Sequence, residues 1–209
     1  MEERISKYIE EHSSPESEVL HELYRKTYTS AVNPNMISGN IQGQVLGMLV
    51  SMSAPSKILE IGTYTGYSAI SMALEMKQGS VLHTIEKNDE LYELSCSFFK
   101  KAGVSDKIIM HTGDARDIIP TLDKDFDMIF IDGDKREYPE YLDLVLPHIK
   151  KGGFIIADNV LWDGKVCDLN TNDPMTLGIQ KFNKLVKENS SLRQVILPLR
   201  DGLMLIRKC

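Results

Sequence analysis

Residues 57–68 read KILEIGTYTGYS, a short apolar run followed at once by a turn that contains two glycines. An apolar run of this length, a glycine turn and then an amphipathic stretch predict a buried strand that leads into a helix. Gly62 and Gly66 let the backbone approach a ligand closely, and the start of the next helix favours a negative group. The segment therefore predicts a strand–turn–helix unit with a ligand at the carboxyl end of the strand.

The same pattern recurs along the rest of the chain. Apolar runs at residues 57–61, 80–85, 107–111, 126–131 and 153–157 alternate with helical patterns at about 66–77, 89–102, 114–119 and 135–149. This alternation predicts βαβ crossovers and a parallel sheet with helices on both faces. A helix near 174–188 precedes two strands, 193–197 and 203–206, whose short connection predicts an antiparallel hairpin. We expect a doubly wound α/β fold with a mostly parallel, seven-stranded sheet.

The N-terminal part has a different pattern. Residues 2–30 predict two polar-faced helices, with Ser14 as the cap and Pro15 at the first position of the second helix. A loop at 33–40 leads to a third helix at 40–53. We expect one domain over residues 1–209, in which residues 1–54 add helices to a Rossmann-like core at 55–209.

Composition narrows the class of function. The 209 residues carry a net charge of −6, whereas proteins that bind nucleic acid usually have a basic surface, so a nucleic-acid partner is disfavoured. Cys96, Cys167 and Cys209 lack the C-x-x-C spacing of zinc sites and are odd in number, which favours a reducing compartment. The acidic N-terminus does not resemble a signal peptide, and no apolar run approaches the roughly 20 residues of a membrane span. We expect a cytoplasmic protein with no membrane partner.

Acidic residues at the ends of the first three strands point to a nucleoside with an amino-acid-like group. The spacing Gly62-x-x-x-Gly66 differs from the G-x-G-x-x-G of dinucleotide enzymes, and Glu60 would repel a pyrophosphate but can hold an amino group. Glu86, about 20 residues further on, suits a ribose, and Asp114 with Ala115 can border an adenine. Packing alone could explain the glycines, and Glu86 and Asp114 could simply start or cap helices.

The fourth and fifth strands also end in polar residues. Asp132 follows residues 126–131, and Asp158 and Asn159 follow residues 153–157. Adjacent parallel strands lie about 4.8 Å apart, so these side chains can converge at one rim of the sheet. Three oxygen ligands of this kind suit Mg²⁺ first, with Ca²⁺ or Mn²⁺ as alternatives. Helix capping is the alternative explanation; it accounts for Asp134 and could account for Asp132, but it explains poorly why two strands end in acids at one crevice.

Lys135 follows this rim near a predicted helix start, where the helix dipole disfavours a lysine. Beside a bound cation a lysine loses its proton more easily, so Lys135 is a candidate general base toward a hydroxyl group. The alternative is a solvated surface lysine.

Three motifs in this order resemble the metal-dependent class I O-methyltransferases, which include catechol and caffeoyl-CoA O-methyltransferases and small bacterial relatives. They are EIGTYTGYS at 60–68, IDGDK at 131–135 and DNVLW at 158–162, and the likeness extends from about Met36 to Lys208. The resemblance implies a methyl transfer from S-adenosylmethionine to a hydroxyl of a small aromatic vicinal diol. It also implies a homodimer in which the N-terminal helices help to form the acceptor site.

The resemblance implies a role for each matching residue. It implies Asp132, Asp158 and Asn159 as metal ligands and Lys135 as the catalytic residue. The expected contacts with S-adenosylmethionine come from Ser38, Glu60, Gly62, Thr63, Tyr64, Ser68, Glu86, Asp114, Ala115 and Asp132. Among these, Glu60 would hold the methionine amino group, Ser68 the carboxylate and Glu86 the ribose.

The chain departs from the animal catechol enzymes in two places. Asp134 stands where those enzymes have tryptophan, and the turn at 198–202 lacks their glutamate. The main alternative is a tRNA hydroxyl methyltransferase on the same scaffold, for which Lys100-Lys101 and Lys150-Lys151 offer small basic patches. A nicotinamide-dependent oxidoreductase is disfavoured by the glycine spacing and by Glu60, and a non-enzymatic nucleoside-binding module leaves Lys135 unexplained.

Overall fold

The computed structural model describes residues 3–209, except the side chain of Glu3. The predicted start of the first helix at Glu2 lies outside the described residues. The α-helices are α1 Glu3–Glu11, α2 Glu18–Ser30, α3 Asn40–Ser53, α4 Tyr67–Glu75, α5 Tyr92–Lys101, α6 Ala115–Ile118, α7 Tyr138–Val145 and α8 Pro174–Glu188. The strands are β1 Lys57–Ile61, β2 Val81–Glu86, β3 Ile108–Thr112, β4 Phe126–Ile131, β5 Ile149–Ala157, β6 Leu192–Leu197 and β7 Leu203–Lys208.

The seven strands form one sheet in the order β3-β2-β1-β4-β5-β7-β6. Strands β1 to β5 pair in parallel, and β7 runs antiparallel to both β5 and β6. The predicted doubly wound sheet with a C-terminal antiparallel hairpin is therefore confirmed. The strand order reverses beside β1, so the carboxyl ends of β1 and β4 flank the crevice where open α/β sheets bind ligands.

Apolar side chains cover both faces of the sheet because neighbouring residues of a strand point to opposite sides. Leu59 and Ile61 of β1 pack in one cluster with residues of α7 and α8. Ile58 packs in the other cluster, together with residues of α2, α3 and α4. Helices α2, α3 and α4 thus cover one face of the sheet.

The predicted start of the second helix is wrong. Helix α2 begins at Glu18, with Ser17 at the N-cap position, rather than at Pro15. The carbonyl of Ser14 accepts a hydrogen bond from Asn40 Nδ2 at 3.3 Å, and that of Pro15 accepts one from Gln44 Nε2 at 3.4 Å. These two contacts with α3 hold the segment outside the helix.

Several predicted boundaries shift where the chain pairs with a neighbouring strand. The pattern at 135–149 contains a 3-10 turn at Lys135–Glu137, then α7, and it ends at Val145. Strand β5 already begins at Ile149, because Phe126 N donates to His148 O at 2.9 Å and draws that segment to β4. Two further 3-10 segments, Pro34–Met36 and Trp162–Cys167, were not predicted. None of the described helices has the length and apolar character to span a bilayer.

Gly178 lets α8 pack directly on the turn that carries Lys135. A Cβ atom at this position would overlap the carbonyl oxygen of Lys135 and lie 2.9 Å from Arg136 Cα. Both neighbours are backbone atoms, so a side chain at residue 178 cannot be accommodated by a rotamer change. The position of the Lys135 turn therefore depends on the absence of a side chain on α8.

We expect Gly178→Ala to destabilise the protein by about 1–3 kcal/mol, the usual cost of overpacking a filled core. Urea unfolding measures the change, and Gly47→Ala on α3 is the matched control. At residue 47 the nearest atom to an added Cβ is Glu75 Cγ at 3.1 Å, on a flexible side chain. Equal stabilities of the two variants would contradict this account of α8 packing.

Candidate active site

The site is built at the carboxyl ends of β1, β4 and β5. Ile61 pairs with Ile131, and Ile131 pairs with Ala157, so the three strands end level with one another. The backbone ladder continues by one residue, with Asp132 N donating to Ile61 O at 2.8 Å and Asp158 N donating to Ile131 O at 3.0 Å. The residues that follow each strand therefore meet at one rim, as the sequence predicted.

Gly62 is required where β1 passes β4. Its φ is +99°, and a Cβ atom there would overlap the carbonyl oxygen of Asp132. A residue with a side chain would meet both a backbone strain and a steric clash. This glycine therefore sets how closely the turn after β1 approaches the rim.

A cavity of about 610 Å³ opens at this rim. Its described lining includes nine of the predicted site residues: Gly62, Tyr64, Glu86, Asp114, Ala115, Asp132, Lys135, Asp158 and Asn159. Ser38, Glu60, Thr63 and Ser68 are buried and do not belong to the lining. The structure thus brings the predicted metal ligands, Lys135 and most of the predicted cofactor contacts into one cavity, with four residues behind its wall.

Asp158 is 5% exposed, and its carboxylate is held by two hydrogen bonds. Gln42 Nε2 donates to Oδ2 at 2.5 Å, and the backbone N–H of Asn159 donates to Oδ1 at 2.7 Å. Burial raises the pKa of Asp158 above its ordinary value, and the nearby charge of Asp132 raises it further. The carboxylate is fixed in place but lacks a nearby positive charge sufficient to offset its desolvation.

This electrostatic state fits a divalent cation. Two carboxylates that repel each other and an amide oxygen form the hard oxygen set that Mg²⁺, Ca²⁺ and Mn²⁺ prefer. Among residues 3–209, no group of three or more His, Cys, Asp or Glu side chains is arranged to hold a metal. The rim lies outside that description because its third predicted ligand is Asn159.

Asn159 is oriented by the turn before β7. Its Nδ2 donates to Asp201 Oδ2 at 3.3 Å, which leaves the amide oxygen free to face elsewhere. Asp201 also accepts a hydrogen bond from the backbone N–H of Asp163. The C-terminal hairpin thereby fixes both Asn159 and the loop that follows it.

Asp132, Asp158 and Asn159 form what we call the acidic rim. Lys135 lies beside it, and its side chain is only 12% exposed. Its Nζ donates to Asp132 Oδ1 at 2.7 Å and to the carbonyl of Gly133 at 3.0 Å. Nζ also lies 5.3 Å from the ring centre of Tyr138. These contacts place the amine at the cavity wall and distinguish it from an ordinary surface lysine.

The first three amides of the turn after β1 already donate hydrogen bonds to residues of β2. Gly62 N and Thr63 N both donate to Ile85 O, at 2.9 and 3.1 Å, and Tyr64 N donates to Glu86 Oε2 at 2.7 Å. These three amides are therefore not available to cradle a pyrophosphate, which disfavours a dinucleotide. Glu86 Oε1 accepts from Asn88 N at 2.9 Å, and burial raises the pKa of Glu86.

Glu60 is fully buried behind the turn. Ser68 Oγ donates to its Oε1 and Thr84 Oγ1 donates to its Oε2, each at 2.5 Å. Burial raises the pKa of Glu60 to about 8, although the two hydroxyl groups lower it in part. Both oxygens of the Glu60 carboxyl group therefore bind side chains of the protein.

Asp114 acts as a helix cap and also lines the cavity. Its Oδ1 accepts from Arg116 N at 3.0 Å at the start of α6, and Lys87 Nζ donates to Oδ2 at 2.7 Å. The Arg116 and Lys87 contacts hold the pKa of Asp114 well below its usual range. The two interpretations of this residue are compatible, because one carboxylate serves the cap and borders the cavity.

Gln42 and Arg200 were not among the predicted site residues. Gln42 is 1% exposed, and Arg200 Nη1 donates to its Oε1 at 3.3 Å, which orients the amide so that Nε2 faces Asp158. These residues are separated by 158 positions along the chain. The one local signal was the occurrence of a glutamine among the apolar residues of α3.

Comparison with known proteins identifies relatives across the chain. A family model described as O-methyltransferase matches residues 10–209. A catechol O-methyltransferase of Niastella koreensis is 36% identical over 171 residues, which cover 80% of this chain and 75% of the relative. A caffeoyl-CoA O-methyltransferase of Populus kitakamiensis is 33% identical over 220 residues and covers 99% and 94% of the two chains.

A solved structure agrees with these relatives. The O-methyltransferase TomG of Streptomyces achromogenes, in complex with SAM, superimposes with a TM-score of 0.93 at 28% identity. The alignment covers 100% of this chain and 99% of that one.

The titration of Glu60 generates a prediction about stability. A carboxyl group whose pKa is about 8 in the folded state, against 4.5 as its ordinary value, stabilises the fold when protonated. That contribution is present below about pH 4.5 and is lost as the pH rises to about 8, at up to about 1.4 kcal/mol per pH unit. In the ligand-free protein, Glu60→Gln removes this dependence.

Urea unfolding between pH 5 and pH 8 should therefore show the Glu60→Gln variant gaining stability relative to the wild type as pH rises. Glu75→Gln, at an exposed position on α4, is the matched control and should leave the pH dependence unchanged. Parallel pH profiles for Glu60→Gln and the wild type would show that Glu60 is ionised in the fold.

Proposed function

Because the chain belongs to the O-methyltransferase family, we propose that it transfers the methyl group of SAM to one hydroxyl of a small aromatic vicinal diol held by a divalent cation. The chain is a SAM-dependent O-methyltransferase of the catechol and caffeoyl-CoA type. The diol, the cation and the role of each residue are the proposed part. The predicted tRNA alternative gains no support from the relatives.

One observation carries the proposal: the acidic rim, Lys135 and the glycine turn line the same cavity. The predicted ligands Asp132, Asp158 and Asn159 lie at the ends of β4 and β5, next to the turn after β1. A methyl donor over the glycine turn and a hydroxyl at the rim would therefore be neighbours. Proximity of this kind is a large part of what an enzyme contributes to a two-substrate reaction.

The glycine-turn side of the cavity would hold SAM. Glu86 would accept hydrogen bonds from ribose hydroxyls, and Asp114 and Ala115 at the start of α6 would border adenine. Glu60 does not line the cavity, so it would act at a distance: it would hold Ser68 in place, and its carboxylate would offset the positive charge of the methionine amino group. Ser38 and Thr63 remain predicted contacts.

Asp132, Asp158 and Asn159 would hold the cation, with Mg²⁺ the first candidate and Ca²⁺ or Mn²⁺ the alternatives. When bound, the cation supplies Lewis-acid chemistry, which lowers the pKa of an acceptor hydroxyl and fixes the orientation of the diol. Through their hydrogen bonds, Gln42 would orient the Asp158 carboxylate and Asp201 would orient the Asn159 amide.

With a cation held at Asp132, Lys135 would lose its own proton more easily, and as the neutral amine it would accept the proton of the reacting hydroxyl. The hydroxyl oxygen forms the new bond to the methyl carbon as the carbon–sulfur bond breaks, and the sulfonium becomes a neutral thioether. The contacts of Nζ with Asp132 and Gly133 orient the amine at the cavity wall. A homodimer and a cytoplasmic location remain predictions.

We expect Asp158→Asn to lower methyl transfer more than about 100-fold, because a cation's stabilisation of the transition state is worth several kcal/mol. Product formation from a catechol with and without Mg²⁺ measures the effect, and calorimetry with the product S-adenosylhomocysteine should show nearly unchanged affinity. Asp143→Asn, at an exposed position on α7, is the control. Wild-type activity of Asp158→Asn in EDTA would contradict the metal proposal.

We expect Lys135→Met to lower kcat by about 100- to 10,000-fold, the range of a general base, with little change in S-adenosylhomocysteine affinity. The residual rate should rise with pH as the solvent takes over the proton. Lys151→Met, at an exposed position on β5, controls for loss of a positive charge. An unchanged kcat would contradict a catalytic role for Lys135.

A further inference from the structure

Arg200 has a strained backbone in the turn that joins β6 and β7. Its φ is +48°, in the left-handed region that side chains other than glycine, asparagine and aspartate rarely adopt. Such conformations cost about 1–3 kcal/mol and cluster at ligand sites. Gly202 in the same turn also has a positive φ, +90°, but there the residue is glycine, which adopts such values without strain. At residue 200 the chain has an arginine instead.

The side chain of Arg200 is held only by neutral oxygens. Its Nη1 donates to Ile37 O at 3.1 Å and to Gln42 Oε1 at 3.3 Å. Within residues 3–209, no carboxylate forms an ion pair with the guanidinium. A guanidinium has five N–H donors, so Nε and Nη2 retain donors for a further partner.

Arg200 lines the cavity together with Met36, Trp162 and Met175. The described lining contains two other cations, and each already pairs with a carboxylate. Lys87 Nζ lies 2.7 Å from Asp114 Oδ2, and Lys135 Nζ lies 2.7 Å from Asp132 Oδ1. In this part of the chain Arg200 is therefore the cavity cation that lacks an acidic partner.

We propose that Arg200 binds an anionic group of the methyl acceptor and thereby selects acceptors that carry a carboxylate or a phosphate beyond the diol. The inference deepens the proposed function and rests on it. The planar guanidinium matches such groups with two parallel hydrogen bonds, which a lysine cannot form.

Charge in the cavity makes this contact selective. The wall carries several acidic side chains, Glu86, Asp132, Asp134, Glu137 and Asp158 among them. An anionic acceptor without a cationic partner would be repelled from such a wall, whereas a neutral catechol would not. Arg200 should therefore affect kcat/KM for anionic acceptors more than kcat/KM for neutral ones.

The test compares three acceptors with the same diol, at saturating SAM and Mg²⁺. They are 3,4-dihydroxycinnamate, its neutral methyl ester and its coenzyme A thioester. For each protein the measured quantity is kcat/KM for an anionic acceptor divided by kcat/KM for the ester. This ratio cancels any general loss that Arg200 variants cause through Gln42 and Asp158.

We expect Arg200→Gln to lower the ratio about 10- to 100-fold, the range for a lost hydrogen bond to a charged group. Arg200→Lys should recover part of the ratio because the positive charge remains. The recovery should be incomplete because a lysine cannot form the two parallel hydrogen bonds of a guanidinium. Arg200→Gly should behave as Arg200→Gln, and since glycine suits φ +48° its effect cannot come from backbone strain at residue 200. Arg193→Gln, at an exposed position on β6, should keep the wild-type ratio.

The acceptors also distinguish the source of the anion. If Arg200→Gln lowers the ratio for 3,4-dihydroxycinnamate, the result supports a contact with a carboxylate. If it lowers the ratio for the coenzyme A thioester alone, the result supports a contact with a phosphate. Unchanged ratios for both, with an active wild type, overturn the role of Arg200 and leave the proposed function intact. A wild type that methylates none of the three acceptors contradicts the proposed function and this inference together.

Discussion

The level ends of β1, β4 and β5 are the constraint on which the site depends. Ile61, Ile131 and Ala157 pair across the sheet, so the next residue of each strand arrives at the same rim. A slip of one residue would turn each of these side chains to the opposite face. The close approach at Gly62 then fixes the glycine turn against the backbone of Asp132. The hydrogen-bond ladder of the sheet thus determines the distance between the expected methyl donor and the acidic rim.

Buried carboxyl groups are the energetic cost of this arrangement. Glu60 and Asp158 both have raised pKa values because they are removed from water, and neighbouring acids raise them further. Hydroxyl and amide donors from Ser68, Thr84 and Gln42 offset part of that cost. The remaining imbalance favours positive charge in the cavity, which both a sulfonium donor and a divalent cation would supply. The same imbalance would weaken binding of an anion wherever no cation faces it.

Elements that depend on local sequence patterns were predicted most accurately. The boundaries of α3, α8, β1 and β4 were predicted to the residue, since each is a periodic apolar pattern with a clear start and end. The residues that follow the strands could also be placed at one rim, because parallel strands share their direction. The start of α2 was wrong, because contacts of Ser14 and Pro15 with α3 override the local cap signal.

The two sides of the cavity differ in how far they can be inferred from sequence. The glycine-turn side is made by short segments that follow successive strands, so its chemistry is visible in the order of motifs. The other part of the lining brings together Asn33, Asn35, Met36, Trp162, Met175 and Arg200, which come from distant parts of the chain. Gln42 connects the two sides, with one end of its amide on Asp158 and the other on Arg200. Contacts of this length leave no periodic pattern in a single sequence, so the methyl donor can be inferred from motifs, whereas the acceptor requires the assembled cavity.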